Sequence, residues 1–234
     1  KLIIPFLIPF LLAMAVGPRL NWIKSELQIK SYSILFLLVS ILLSLFIIKN
    51  LNVNFLLNTI LIASAFYLFF ISFRDFFNKK FKFMSQTVAH FGFSLLILSI
   101  LFNNIFSTEV ITNLKIGETY NDEKFKINFE NIETIERQNF KEIIGKFNIE
   151  NSNGDIEVLK PALRIYNQPN ILTSEADIKT NLITDKFMTM NLIQNQEYFS
   201  IRYQVKPFMI WIWFSVLLIS LGGFVSLFKK KYEK

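Results

Sequence analysis

MSQTVAHFGFSLLILSILFNNIF, Met84–Phe106, contains no Asp, Glu, Lys or Arg. A helix rises about 1.5 Å per residue, so roughly 20 residues cross a hydrocarbon core of about 30 Å, and this run suffices. Soon after it the chemistry changes. Phe125, Ile127 and Phe129 alternate with Lys124, Lys126, Asn128 and Glu130, the period of two that marks a half-buried strand. The expected fold is therefore a membrane all-α bundle of about five transmembrane helices with an inserted exoplasmic all-β domain, a small barrel or sandwich.

Four more segments complete the bundle: Leu2–Val16, Ser33–Ile48, Phe55–Phe73 and Pro207–Phe228. The first two are a few residues short and need flanking polar groups to finish the crossing. Pro5 and Pro9 predict a kink in the first unless neighbours satisfy the freed carbonyls. The division along the chain is a four-helix region over 1–106, an exoplasmic β domain over 107–206, and a final helix with a basic tail over 207–234. The chain opens at Lys1 with no basic leader or small-residue cleavage site, and reads as the interior of a longer protein cut before a helix.

Basic residues set the orientation. Arg19, Lys24 and Lys30 lie in one short loop, Arg74, Lys79, Lys80 and Lys82 in another, and Lys229, Lys230, Lys231 and Lys234 in the tail. With five spans all three fall on one side, which is expected to be the cytoplasm or matrix. Residues 107–206 then face the opposite compartment. The net charge of +7 thus reports loops at a membrane rather than a nucleic-acid surface, because the basic groups are not interleaved with aromatics on one domain.

Within 107–206, Phe147 and Ile149 alternate with polar neighbours, as do Ile156 and Val158 after Asn153-Gly154. Asn-Gly between two such runs is a strong hairpin signal because both residues tolerate positive φ. Glu109–Ile116, Ala162–Tyr166, Phe187–Leu192 and Tyr198–Val205 read as further strands.

Composition closes off several chemistries. The absence of Cys excludes a disulfide framework, a thiolate metal site and a cysteine nucleophile. One His excludes a multi-His cluster built by this chain alone. No glycine-rich phosphate loop, Ser-His-Asp set or His-Glu-x-x-His occurs. What remains is His90, with Gln86, Thr87 and Ser94 at helical spacings of its own face. That polar stripe must point into a bundle rather than at lipid. An intramembrane imidazole ligates haem iron, relays protons or bonds a neighbouring helix, and residue types alone leave these open. Gly92 beside it lets a flat group or another helix approach closely. Arg164 and Arg202, in the β domain, are candidates to receive a carboxylate; pairing with a neighbouring strand's Glu is the commoner use of such an arginine.

Four blocks in order are similar to the C-terminal part of CcmF, the membrane haem lyase family of cytochrome c maturation. Pro5-Phe6 through Gly17-Pro18 and Trp22 resemble its proline-rich span; Val88-Ala89-His90-Phe91-Gly92 resembles its Ala-His-x-Gly segment. Pro161-x-x-Arg164-x-Tyr166 with Thr173–Ile178 resembles its periplasmic motifs, and Arg202-x-x-x-Lys206-Pro207-Phe208-x-x-Trp211-Ile-Trp213 with Gly222-Gly223 its final span. Ala162-Leu163 replaces the family's Glu-Lys, and Phe214-Ser215 its Gly.

The resemblance implies that His90 is an axial iron ligand of an intramembrane haem b whose second ligand lies outside this chain. It implies haem as substrate, joined to apocytochrome c at Cys-x-x-Cys-His, with Arg164 or Arg202 as a partner or propionate contact. The implied partners are the remaining N-terminal part or a split subunit, other maturation subunits, the haem chaperone, apocytochrome c, membrane lipid and a quinol, with no nucleic acid. The implied location is the bacterial inner membrane with the β domain in the periplasm, or else a mitochondrial inner membrane. The family's tryptophan-rich haem-presenting segment is not in this sequence, so the chain alone is not expected to be a competent lyase. A non-catalytic scaffold whose β domain docks partners, and a transporter half, are the competing readings.

Overall fold

A computed structural model describes residues 4–20, 30–49, 55–78, 84–122, 124–151, 154–193 and 197–229. Trp22 and several loop lysines used above lie outside them. The chain divides into two compact units, residues 1–104 with 209–234 and residues 105–208.

The first unit is helical: α1 (Ile4–Val16), a short 3-10 turn (Gly17–Arg19), α2 (Ser31–Ile48), α3 (Phe55–Asn78), α4 (Met84–Phe106) and α5 (Met209–Lys229). Helices α2 to α5 are each long and apolar enough to cross a membrane, whereas α1 is shorter. Helix α1 continues through Pro9. Helix α3 is the most enclosed; its Leu61, Ala65, Leu68 and Ile71 pack with Leu11 and Ala15 of α1 and Leu98 of α4. The phenylalanines lock these faces together, Phe69 meeting Phe91 of α4 at 5.0 Å and Phe36 of α2 meeting Phe70 at 5.8 Å between ring centroids. Serine and threonine hydroxyls inside the bundle donate to carbonyls of their own helix, as Ser40 does to Phe36 and Ser64 to Leu61, which satisfies them without water. Between helices, the Ser33 and Tyr67 hydroxyls share a hydrogen bond of 2.6 Å.

The second unit is a sandwich of two antiparallel sheets. One has the order β1 (Thr108–Leu114), β10 (Phe199–Pro207), β9 (Thr184–Leu192), β8 (Asp177–Thr180). The other runs β2 (Thr119–Asn121), β3 (Phe125–Glu136), β4 (Phe140–Asn151), β6 (Ala162–Tyr166), β7 (Leu172–Glu175), with β5 (Ile156–Leu159) added to β4. The expected alternation holds in β3, where Phe125, Ile127 and Phe129 are buried. Phe129 and Phe147 stack at 4.3 Å. Facing them across the core are Met188, Met190, Ile201 and Tyr203 of the other sheet.

The strand after the Asn-Gly turn is placed on the opposite face from the one its sequence suggests. Gly154 takes φ +83 and its N–H donates to the Asn151 carbonyl, closing the turn; Asn153 lies outside the described residues. The register then pairs Ile149 with Glu157 and Phe147 with Leu159, so Glu157 and Leu159 share the inner face and Ile156 points outward. A one-residue change of register flips every side chain, and here the buried Leu159 outweighs the exposed Ile156. Strands β2, β7 and β8, three or four residues each, are too short for periodicity to announce.

Candidate functional site

Helix α4 carries His90 on the face that looks toward α1 and α3. Together they form a small, open cleft, lined on α4 by Gln86, Thr87 and His90 and on α3 by Ile71, Ser72 and Asp75, with Met14, Ala15 and Pro18 completing it. His90 is half-buried and Gln86 remains exposed. Ser94, the fourth member of the expected stripe, is fully buried and donates to the Phe91 carbonyl at 2.8 Å. The stripe thus splits: two residues join His90 at the cleft, and the third serves its own helix.

The apolar run expected to span ends at Phe73, whereas α3 runs on to Asn78 and carries Asp75, a residue outside the expected set, into the cleft. It is 7 % exposed, and an ionisable group so enclosed between membrane helices marks a functional site by default. Arg74, next to it, comes within 3.8 Å of its carboxylate and lays its guanidinium 3.5 Å from the Tyr32 ring centroid. The flanking Phe73, Phe76 and Phe77 were the signal, since a carboxylate in such a run has to find polar company.

Gly92 receives a helix rather than a flat group. A Cβ there would lie 3.0 Å from Ile219 and Leu218 of α5. In return, a Cβ on Gly222 would meet the Ala89 nitrogen at 2.7 Å and the Ser85 carbonyl oxygen at 2.9 Å. Glycines on both helices therefore bring their backbones together, one residue from His90. Gly223 has open space.

In the sandwich, Arg164 is held by its own sheets' carboxylates. Its Nε donates to Glu142 at 2.8 Å, its Nη1 lies 3.5 Å from Glu175, and its guanidinium sits 5.2 Å from the Phe140 ring centroid. The Glu142 hydrogen bond raises its pKa further above the usual arginine value. Arg202 donates to Glu109 at 2.6 Å across the β1–β10 pair, and that hydrogen bond holds the Glu109 carboxyl below the usual range. Both arginines are more than a third of the way to being solvent groups, so these pairs are screened.

Deeper in, Lys186 donates to Glu157 Oε1 at 2.6 Å, while Glu157 Oε2 and the Tyr203 hydroxyl are buried with no hydrogen-bond partner. Burial, with the Glu157 charge nearby, pushes Tyr203 up to about 12. Among the described residues no group of three or more His, Cys, Asp or Glu is placed to hold a metal ion.

Residues 105–207 match the family model described as the CcmF C-terminal beta-sandwich. Over nearly the whole chain, a solved cytochrome c heme lyase CcmF shares the fold, with a TM-score of 0.67 at 22% identity across 96% of this chain and 39% of that one. The chain is thus similar to the C-terminal part of CcmF, with the family's own model confined to the sandwich. The cytochrome c-type biogenesis protein CcmF of Escherichia coli is 22% identical over 97% of the chain and 37% of its own length. That of Haemophilus influenzae is 25% identical over 96% of the chain and 37% of its length, and that of Pseudomonas fluorescens 26% over 65% and 23%. The chain therefore spans less than two-fifths of the CcmF relatives it matches. The expected architecture, membrane helices with an inserted β sandwich, is that of the CcmF structure.

Proposed function

We propose that the chain is the C-terminal portion of a membrane haem lyase acting in cytochrome c maturation, with His90 as one axial ligand of an intramembrane haem b. The observation that carries this is His90 in a polar cleft of an otherwise apolar bundle, on the Ala-His segment of a CcmF-type chain. The fit is partial, as it should be for half a site. A neutral imidazole on a rigid helix is a sound iron ligand, but the cavity these helices form, about 10 Å³, has room for about one water molecule and none for a porphyrin. This is also the only histidine in the chain. The second ligand and further walls come from the rest of the protein or from a split subunit.

On this reading His90 would hold the haem b, which would supply redox chemistry in support of thioether formation at the apocytochrome Cys-x-x-Cys-His. What this chain does is narrower. The close approaches of Gly92 to Ile219 and of Gly222 to Ala89 fix α4 against α5, and α3 closes the cleft with Ser72 and Asp75. The sandwich, in the periplasm of a bacterial inner membrane, is a docking wall for apocytochrome c, the haem chaperone or other maturation subunits. Arg202, the more exposed arginine, is the better placed to exchange its carboxylate for a partner's; Arg164 is held twice.

The test is a reduced-minus-oxidised visible spectrum of the full-length protein, or of this chain with its upstream partner, beside His90→Ala. A low-spin b-type spectrum lost in the variant is expected. An unchanged spectrum assigns the ligand elsewhere. A folded protein without haem in either sample leaves the scaffold reading.

A further inference from the structure

The turn between β8 and β9 is built to present two aliphatic side chains. Asn181 braces it: its Oδ1 accepts from the Ile183 and Thr184 N–H groups at 2.9 and 2.7 Å, and its own N–H donates to the Thr184 carbonyl. Held by that bracket, Leu182 is 72 % and Ile183 62 % exposed. Such a pair at a loop tip is costly in water and needs a reason.

Its location supplies one. Thr184 pairs with Pro207, the last residue of β10, and the Ile183 carbonyl accepts the Phe208 N–H at 2.7 Å. Phe208 has φ +62, a left-handed conformation that a bulky residue adopts only when the surroundings impose it; it is the corner at which strand becomes helix. Met209, the next residue, begins a candidate membrane span, and successive Cα atoms are about 3.8 Å apart. At the same end of the sheet Thr108 pairs with Val205, and Thr108 follows closely on Phe106, the end of another candidate span. Both covalent connections to membrane helices thus leave from the end of the sheet that carries Leu182 and Ile183. Lys179 and Lys206 flank the tip, the arrangement of an apolar anchor with cations at headgroup level.

We propose that Leu182 and Ile183 form a lipid-contacting tip, inserted at the headgroup–acyl boundary of the bilayer that α4 and α5 cross. The occupant is lipid, and the Asn181 bracket and the Phe208–Ile183 hydrogen bond keep the tip aligned with the point of membrane entry. This inference depends on the two spans and not on the haem assignment.

The sequence has no cysteine, so single-cysteine labelling of the full chain is direct. Leu182→Cys, Ile183→Cys and, as a control, Ile116→Cys carry an environment-sensitive fluorophore in phosphatidylcholine vesicles with or without bromine on the upper acyl chains. Ile116 is itself 54 % exposed but lies at the other end of the sheet, about 25 Å along a strand from Thr108. Fluorescence at 182 and 183 is expected to be quenched by brominated lipid at least about twofold more than at 116, with iodide acting in the opposite order. Iodide quenching at 182 and 183 equal to that at 116 overturns the proposal. Protection from both quenchers overturns it too, since the tip would then be covered by protein.

Discussion

Gly222 and Gly223 are neighbours on one helix, yet replacing them with alanine is expected to act in opposite directions. At Gly222 the new methyl would sit 2.7 Å from the Ala89 nitrogen and 2.9 Å from the Ser85 carbonyl oxygen. Comfortable separation is about 3.5–4.0 Å, so α5 must retreat from α4 by roughly 0.8–1 Å. Neither obstacle is the far end of a flexible side chain; both are helix backbone, which cannot turn aside. Overpacking of this kind costs about 1–3 kcal/mol, a factor of roughly 5 to 150 in the folding equilibrium. At Gly223 the methyl meets nothing within 4 Å, and alanine gains up to about 1 kcal/mol in helix propensity. The assay is an SDS titration of the full chain in mixed micelles, read by tryptophan fluorescence, since Trp211 and Trp213 both lie on α5. Gly222→Ala should unfold at lower SDS and Gly223→Ala at equal or higher SDS. Equal midpoints for the two variants would refute the close approach of α4 and α5, and with it the account of how His90 is held.

Two tyrosine-to-phenylalanine changes should also diverge. Tyr67→Phe removes a buried interhelical hydrogen bond to Ser33 and should cost about 0.6–1.7 kcal/mol in the same SDS assay, whereas Tyr203→Phe removes a buried, unpartnered hydroxyl and should stabilise the sandwich by about 1–2 kcal/mol. For Tyr203→Phe, slower hydrogen exchange in β9 and β10 checks the gain; faster exchange would contradict it. Because Tyr203 is raised to about 12, the folded sandwich keeps a proton that the unfolded chain loses near pH 10; stability should fall between about pH 10 and 12, and Tyr203→Phe should flatten that slope in urea midpoints. On the acid side the Arg202 and Gln204 hydrogen bonds lower the Glu109 pKa, so its contribution is present above the unfolded value near 4.3 and is lost as pH falls through the folded one; Arg202→Ala should move the Glu109 titration up towards the unfolded value and weaken this slope, with Gln204 retaining part of it, read by carboxyl NMR titration of Glu109.

How much was legible depended on whether a signal was local. Helix α4 begins and ends where the sequence predicts because its uncharged run has clear edges. Helix α3 does not: Arg74 and Asp75 look like the start of a loop, and only the cleft, made by three helices together, explains why a carboxylate belongs inside. The alternation in β3 was readable since each phenylalanine is buried by its own strand's pairing. That of β5 was not, because Glu157 finds Lys186, a residue 29 positions away, and no local pattern reports such a partner. Gly92 announced a close approach without saying by what; the answer, Ile219 and Leu218, lies on a helix beyond the whole β domain.

In the core of the sandwich, Gly145 of β4 lies against Met190 of β9. A Cβ there would stand 2.8 Å from the Met190 sulfur, and Met188 and Met190 are both fully buried. The glycine is a notch cut to receive a thioether, and the notch has no room for an added oxygen. While folded, the sandwich shields these sulfurs from oxidants. Once unfolded it exposes them, and a sulfoxide at Met190, larger and polar, no longer fits the slot. Oxidation during a single unfolding event would therefore turn a reversible opening into lasting damage, undone only by a reductase acting before the chain can close again.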